Sequence, residues 1–167
     1  DVNNDIDIDY KRVIIKICLE QASFVIVFNT SMFVKLRTYF PNLTNIVIIP
    51  QAVPRILIKD FDLRKYLGIT DNRKLYLMVG NLRPVKDPLF LQKTFQKLWK
   101  RDKTTLIVVG NILEGEYLFT EGMIHIGSFS NDVVHSMMKQ VSGLVNTSIS
   151  EGMSSSILEA MKLGCVV

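Results

Sequence analysis

Short β-favouring runs that stop at a glycine or a polar loop, each followed by a stretch of helical period, recur through the second part of this chain. That alternation constrains the fold more than any other feature. Leu75 to Val79 runs into Gly80, Thr105 to Val109 into Gly110, and Met123 to Ile126 into Gly127. Leu144 to Asn146 runs into a polar turn, and Cys165-Val166-Val167 begins a further run after Gly164. Between them lie helical patterns. Asp87-Pro88 reads as an N-cap with proline at the first helical position, ahead of an inner stripe of Leu91, Phe95, Leu98 and Trp99. Ser130 or Asn131 caps a helix to about Gln140, and another runs from about Ser154 to Leu163. Strands alternating with helices predict an α/β fold, a Rossmann-like parallel sheet covered on both faces. Such sheets bind ligands at the carboxyl ends of their strands, so chemistry is expected in the loops after Val79, Val109, Ile126 and Asn146.

The first fifty residues read differently. Residues 1 to 9 are a polar lead-in. Tyr10, Val13, Ile14, Ile17, Cys18 and Ala22 then fall on one helical stripe, which predicts a buried face. Phe24 to Phe28 and Ile46 to Ile49 read as strands buried on both faces. Between them Asn29 caps a helix that ends near Phe40, before Pro41. Pro50 and Pro54 bracket a stretch that neither helix nor sheet interior tolerates, and a boundary is placed there. Residues 1–50 are expected to form one portion and 51–167 another. The second opens with a short helix from about Asp60 to Leu67, closed by Gly68.

Composition excludes several classes. In 167 residues, 20 Lys and Arg face 16 Asp and Glu, a net +4 that is too mild to argue for nucleic acid and mildly favours small anions. Apolar runs are far shorter than the roughly 20 residues of a membrane span. Two cysteines exclude a disulfide scaffold, and with two distant histidines they assemble no metal motif. Cys18 and Cys165 read as buried reduced thiols, His125 as a strand-end packing residue and His135 as a helix-face residue. Without a signal sequence the expected compartment is the cytoplasm. The start at Asp1 and the stop within a strand-like run read as a piece of a longer protein.

Two loops stand out. Gly80-Asn81-Leu82-Arg83-Pro84-Val85-Lys86-Asp87 joins a strand to a helix, and Arg83 and Lys86 are two cations able to clamp a diphosphate, or simply solvated charges. It is neither a Walker loop nor a G-x-G-x-x-G. The second runs from Asn146 across Ser150-Glu151-Gly152-Met153-Ser154 into a helix bearing Glu159. Amides and hydroxyls there make a polar cradle flanked by two carboxylates. The same spacing serves a plainer purpose, because Ser148-x-x-Glu151 and Ser156-x-x-Glu159 both satisfy the capping box.

Taken together, Ser150-Glu151-Gly152-Met153-Ser154, then Glu159-Ala160-Met161-Lys162-Leu163-Gly164, resembles the E-x7-E signature of the retaining "group 1" glycosyltransferases of family 4. The wording is nearest to the glycosyltransferase 1 domain-containing proteins of animals. Ile48-Ile49-Pro50-Gln51-Ala52-Val53 is similar to that family's hinge, Val79-Gly80-Asn81-Leu82-Arg83-Pro84-Val85-Lys86 to its V-G-R-L-x-x-x-K loop, and Val108-Val109-Gly110 to a strand end. The resemblance implies most of the C-terminal donor domain of a two-domain GT-B fold, cut at its C-terminus, with the tail of the N-terminal, acceptor-side domain. It implies a nucleoside-diphosphate sugar as donor substrate, UDP- or GDP-linked, an unidentified acceptor, and no metal or other cofactor. Lys86 and Glu151 would act on the departing diphosphate and the sugar hydroxyls, with Arg83 supplying the cation that the family carries at the position of Asn81. Gly80, Gly152 and Met153 would offer backbone to the donor, Glu159 would accept from the ribose, and Ser128 would open the nucleobase loop. Two other readings share these motifs: a non-catalytic paralogue that keeps the fold, and a sugar-nucleotide epimerase.

Overall fold

The computed structural model describes residues 9–53 and 55–167. The polar lead-in up to residue 8 and Pro54 lie outside the described residues. The chain divides into two compact units, the first comprising Asp1–Ala52 with Ser150–Met153, the second Val53–Ile149 with Ser154–Val167.

In the first unit, α1 (Asp9–Gln21), β1 (Val25–Val27), α2 (Thr30–Tyr39) and β2 (Ile46–Ile48) follow in order. The strands pair in parallel, Val25 opposite Ile46 and Val27 opposite Ile48. Asn29 caps α2 as its sequence predicts, its Oδ1 accepting from the Met32 amide at 2.8 Å. The predicted stripe of α1 is corrected. Tyr10, Val13, Ile14 and Ile17 are each more than half exposed, whereas Ile15, Leu19 and Ala22 pack onto Val25, Val27, Leu36, Phe40 and Leu43. The helix is apolar on two faces, and a clamp chooses between them: Asn45 Nδ2 donates to the carbonyls of Leu19 (3.1 Å) and Ala22 (2.7 Å). Cys18 is consequently exposed and not a buried thiol. β1 is buried on one face only, with Val25 and Val27 inside and Ile26 56% exposed, and β2 is less covered still, with Ile46 half-buried and Val47 and Ile48 exposed.

The second unit holds α3 (Leu63–Tyr66), β3 (Leu75–Val79), a 3-10 turn (Pro84–Lys86), α4 (Gln92–Asp102), β4 (Thr105–Val109), β5 (Met123–His125), α5 (Asn131–Met138), β6 (Gly143–Leu144) and α6 (Ser155–Lys162). Its four strands are all parallel, in the order β5-β4-β3-β6. β4 is buried along its whole length, as a central parallel strand covered on both faces must be. One core lies between the sheet and α3, α5 and α6, built on Leu63, Leu77, Ile107, Met137 and Ala160; the other lies under α4, built on Leu82, Phe95, Leu106 and Val108.

Three expectations are corrected here. α4 begins at Gln92, because Asp87 takes a left-handed conformation (φ 41°) that closes the 3-10 turn and does not cap a helix. A run of turns, with Phe90 N–H bonding Asp87 O and Gln92 N–H bonding Leu89 O, fills the gap. Residues 165–167 form no strand; Leu144 N–H ties them to the sheet by bonding Val166 O at 2.7 Å. Cys165 is half-buried, and burial pushes its thiol pKa up.

Candidate functional site

The strand order puts the successors of β3 on one side of it and β6 on the other. The reversal therefore falls between β3 and β6, and their carboxyl ends open a crevice in the second unit. The loops that leave those two ends are the two singled out in the sequence. They are tied together: Thr147 Oγ1 lies 2.8 Å from Lys86 O and 2.9 Å from Asp87 O, and the Ile149 amide donates to Val85 O at 2.9 Å. Between them Met78, Val79, Gly80, Leu82, Lys86, Asn146 and Thr147 line a slot of about 10 Å³, room for roughly one water.

Backbone crowding shapes the rim. Gly80 (φ 144°) has the Lys86 Nζ within 3.8 Å of where a β-carbon would sit, so the lysine lies over the glycine. Gly110 (φ 146°) is crowded harder, since a β-carbon there would stand 2.1 Å from Gly80 O. The Gly80 amide bonds Val109 O and the Gly110 amide bonds Gly127 O, which laces three strand ends into one row. His125 closes that row by donating Nε2–H to Gly110 O at 2.7 Å. Asn81 turns its Oδ1 to the Asn111 amide at 3.1 Å, so its side chain holds two loops together.

The other singled-out residues fall as follows. Arg83 is exposed, just before the 3-10 turn. Glu151, Gly152 and Met153 group with the first unit, where Gly152 faces Met32, whose Cε is 3.5 Å from a β-carbon built there. Ser128 is exposed beyond the end of edge strand β5, with β4 between β5 and β3. Neither capping box forms, because no helix starts at Ser148 and Ser156 lies inside α6. Glu159 sits on α6 with its side chain 16% exposed and its Oε2 3.4 Å from His135 Nε2. Sequence reasoning placed His135 on a helix face and missed this pairing; it also passed over Asn146, Thr147 and Gly110 as individual residues. For Gly110, a glycine at a strand end beside a second one was the available signal. For His135 nothing local distinguishes it.

Among the described residues no helix is long and apolar enough to cross a membrane. Residues 59–167 match the family described as glycosyl transferases group 1. The glycosyltransferase 1 domain-containing protein 1 of Xenopus tropicalis is 31% identical over 179 residues, which cover 98% of this chain and 52% of that protein. The chain thus spans about half the length of the relative it matches. Among solved structures, HepE of Anabaena in complex with UDP-glucose is similar with a TM-score of 0.71 at 20% identity, over 92% of this chain and 46% of HepE. The sucrose-phosphate synthase of Thermosynechococcus elongatus gives 0.71 at 17% identity over 94% and 43%. WaaG, a glycosyltransferase involved in lipopolysaccharide biosynthesis, gives 0.67 at 15% over 98% and 51%. These likenesses place the fold among GT-B structures, of which this chain covers about half.

Proposed function

The chain belongs to the glycosyl transferases group 1 family, and from that premise we propose that its second unit binds a nucleoside-diphosphate sugar, which the complete protein transfers to an acceptor with retention, as in family 4. The observation that carries this reading is the junction of the two loops at the reversal of strand order, where Thr147 holds the backbone of Lys86 and Asp87. It sets a lysine ammonium beside a glycine at the mouth of a parallel sheet, and a diphosphate is the anion that such a mouth accommodates.

The chemistry follows from charge. When the glycosidic bond to the diphosphate breaks, negative charge grows on the departing oxygen, and a fixed cation stabilises it more than the ground state. Lys86 is that cation, and Arg83, exposed on the same loop, is a second charge available to the diphosphate. Gly80 lets the phosphate approach the backbone. Glu159 accepts from the ribose and Ser128 opens the base-contacting loop; these roles come from the resemblance. UDP is the first nucleotide to test, since HepE was solved with UDP-glucose. The position of Asn81 favours one second reading. A loop that spends this side chain on Asn111 suits a chain that keeps a nucleotide site without turnover.

The test is calorimetric titration with UDP-, GDP- and ADP-sugars. We expect saturable binding of one nucleotide, weakened about tenfold by Lys86→Ala and by Glu159→Ala, the loss of one charge-assisted contact each. A cooperatively melting chain that binds none of the three would refute the donor site. Binding without transfer by a longer protein would favour the second reading.

A further inference from the structure

His135 is buried, with 5% of its side chain exposed, on the face of α5 that meets α6. Its two ring nitrogens are engaged unequally. Nδ1 is 2.9 Å from the carbonyl of Leu57, and a carbonyl only accepts, so the hydrogen of that bond sits on Nδ1. Nε2 makes no hydrogen bond of good geometry, yet it faces Glu159 Oε2 at 3.4 Å. The imidazole and the carboxylate therefore face each other within ion-pair distance, side chain to side chain, across the two helices.

From this we infer that His135 is a positioning residue: held from behind by Leu57, it directs its second nitrogen at Glu159 Oε2 and so aims the other carboxylate oxygen at a ligand diol. The inference rests on the donor-site reading only for the identity of that diol. It makes the carboxylate a part oriented through the fold, in the way that a metal-binding imidazole is oriented by the group behind it. It also accounts for a carboxylate tolerated at 16% exposure inside a helix packed on another helix.

Two substitutions separate aiming from mere packing. His135→Asn puts an amide N–H where Nδ1 was and keeps the Leu57 bond alone. His135→Gln reaches to where Nε2 was and keeps the Glu159 contact alone. We expect melting temperatures within a few degrees of each other. We expect His135→Asn to weaken UDP-sugar binding about tenfold and His135→Gln to stay within about threefold of the parent. Equal affinities for the two variants would overturn the inference. A second measurement needs no nucleotide. In a double-mutant cycle of His135→Gln and His135→Ala against Glu159→Gln, followed by urea unfolding, the Glu159→Gln change should cost about fivefold more in the unfolding constant when residue 135 can reach residue 159. Additive constants would overturn the pairing outright. If the parent chain binds no nucleotide, the donor reading and the aiming of a ligand fail together, and the cycle still decides the pairing: coupled constants uphold it and additive ones remove it.

Discussion

Gly110 shows how tightly one atom is controlled at the site. A β-carbon at this position meets Gly80 O at 2.1 Å and would have to hold φ at 146°, a conformation that L side chains rarely adopt. Gly110→Ala should therefore cost on the order of 3 kcal/mol, measured by urea unfolding, whereas Ala at Gly68, with φ 65° and open space, should cost about 1. Thr147 is the other pivot. Its hydroxyl spans the carbonyls of Lys86 and Asp87, and Thr147→Val keeps the shape while removing the donor. The expected cost is about 1–2 kcal/mol, together with weaker nucleotide binding, because the loop carrying Lys86 loses its tether. An unchanged affinity in a folded Thr147→Val protein would separate the junction from the ligand.

Elements obeyed their local signals where those signals were unique. α2 begins at the asparagine cap, α3 closes on Gly68 with a left-handed turn, and β3 and β4 span the residues their apolar runs mark. α1 did not, since two faces qualified and Asn45 selected one. Leu19→Ala should thus cost about 1–2 kcal/mol of stability and Ile17→Ala less than about 0.5, a comparison by thermal or urea unfolding. The end of α4 adds a pH-dependent element. The Thr104 hydroxyl, and next Arg101, hold the Asp102 carboxyl down at about 2 against an ordinary 3.8. A depressed folded value stabilises above the unfolded one, so the contribution is complete above about pH 4 and is lost as pH falls toward 2. Across that window the melting temperature of the parent should drop further than that of Asp102→Asn. Equal slopes would show that this carboxylate contributes nothing.

For the chain as a whole, the two units differ in how much strand they bury. In the second, Leu77, Leu106, Ile107 and Val108 are fully buried in the middle of a four-stranded sheet. In the first, two three-residue strands leave Ile26, Val47 and Ile48 exposed. Hydrogen exchange should find β3 and β4 the slowest segments and β1 and β2 markedly faster, and equal protection would contradict this ordering. Much of the second unit was legible in the residues, because strand and helix periods and terminal glycines are properties of neighbours in the chain. Strand–glycine–helix alternation alone implied a parallel sheet with its chemistry at the carboxyl ends, and the wording around Lys86, Glu151 and Glu159 implied the family. What the residues left open were choices made between segments far apart in sequence. Which face of α1 is buried depends on Asn45, where α4 starts depends on the turn at Asp87, and what Glu159 faces depends on a histidine one helix away. Each is a contact between groups that no local pattern links, so only the packed chain decides it.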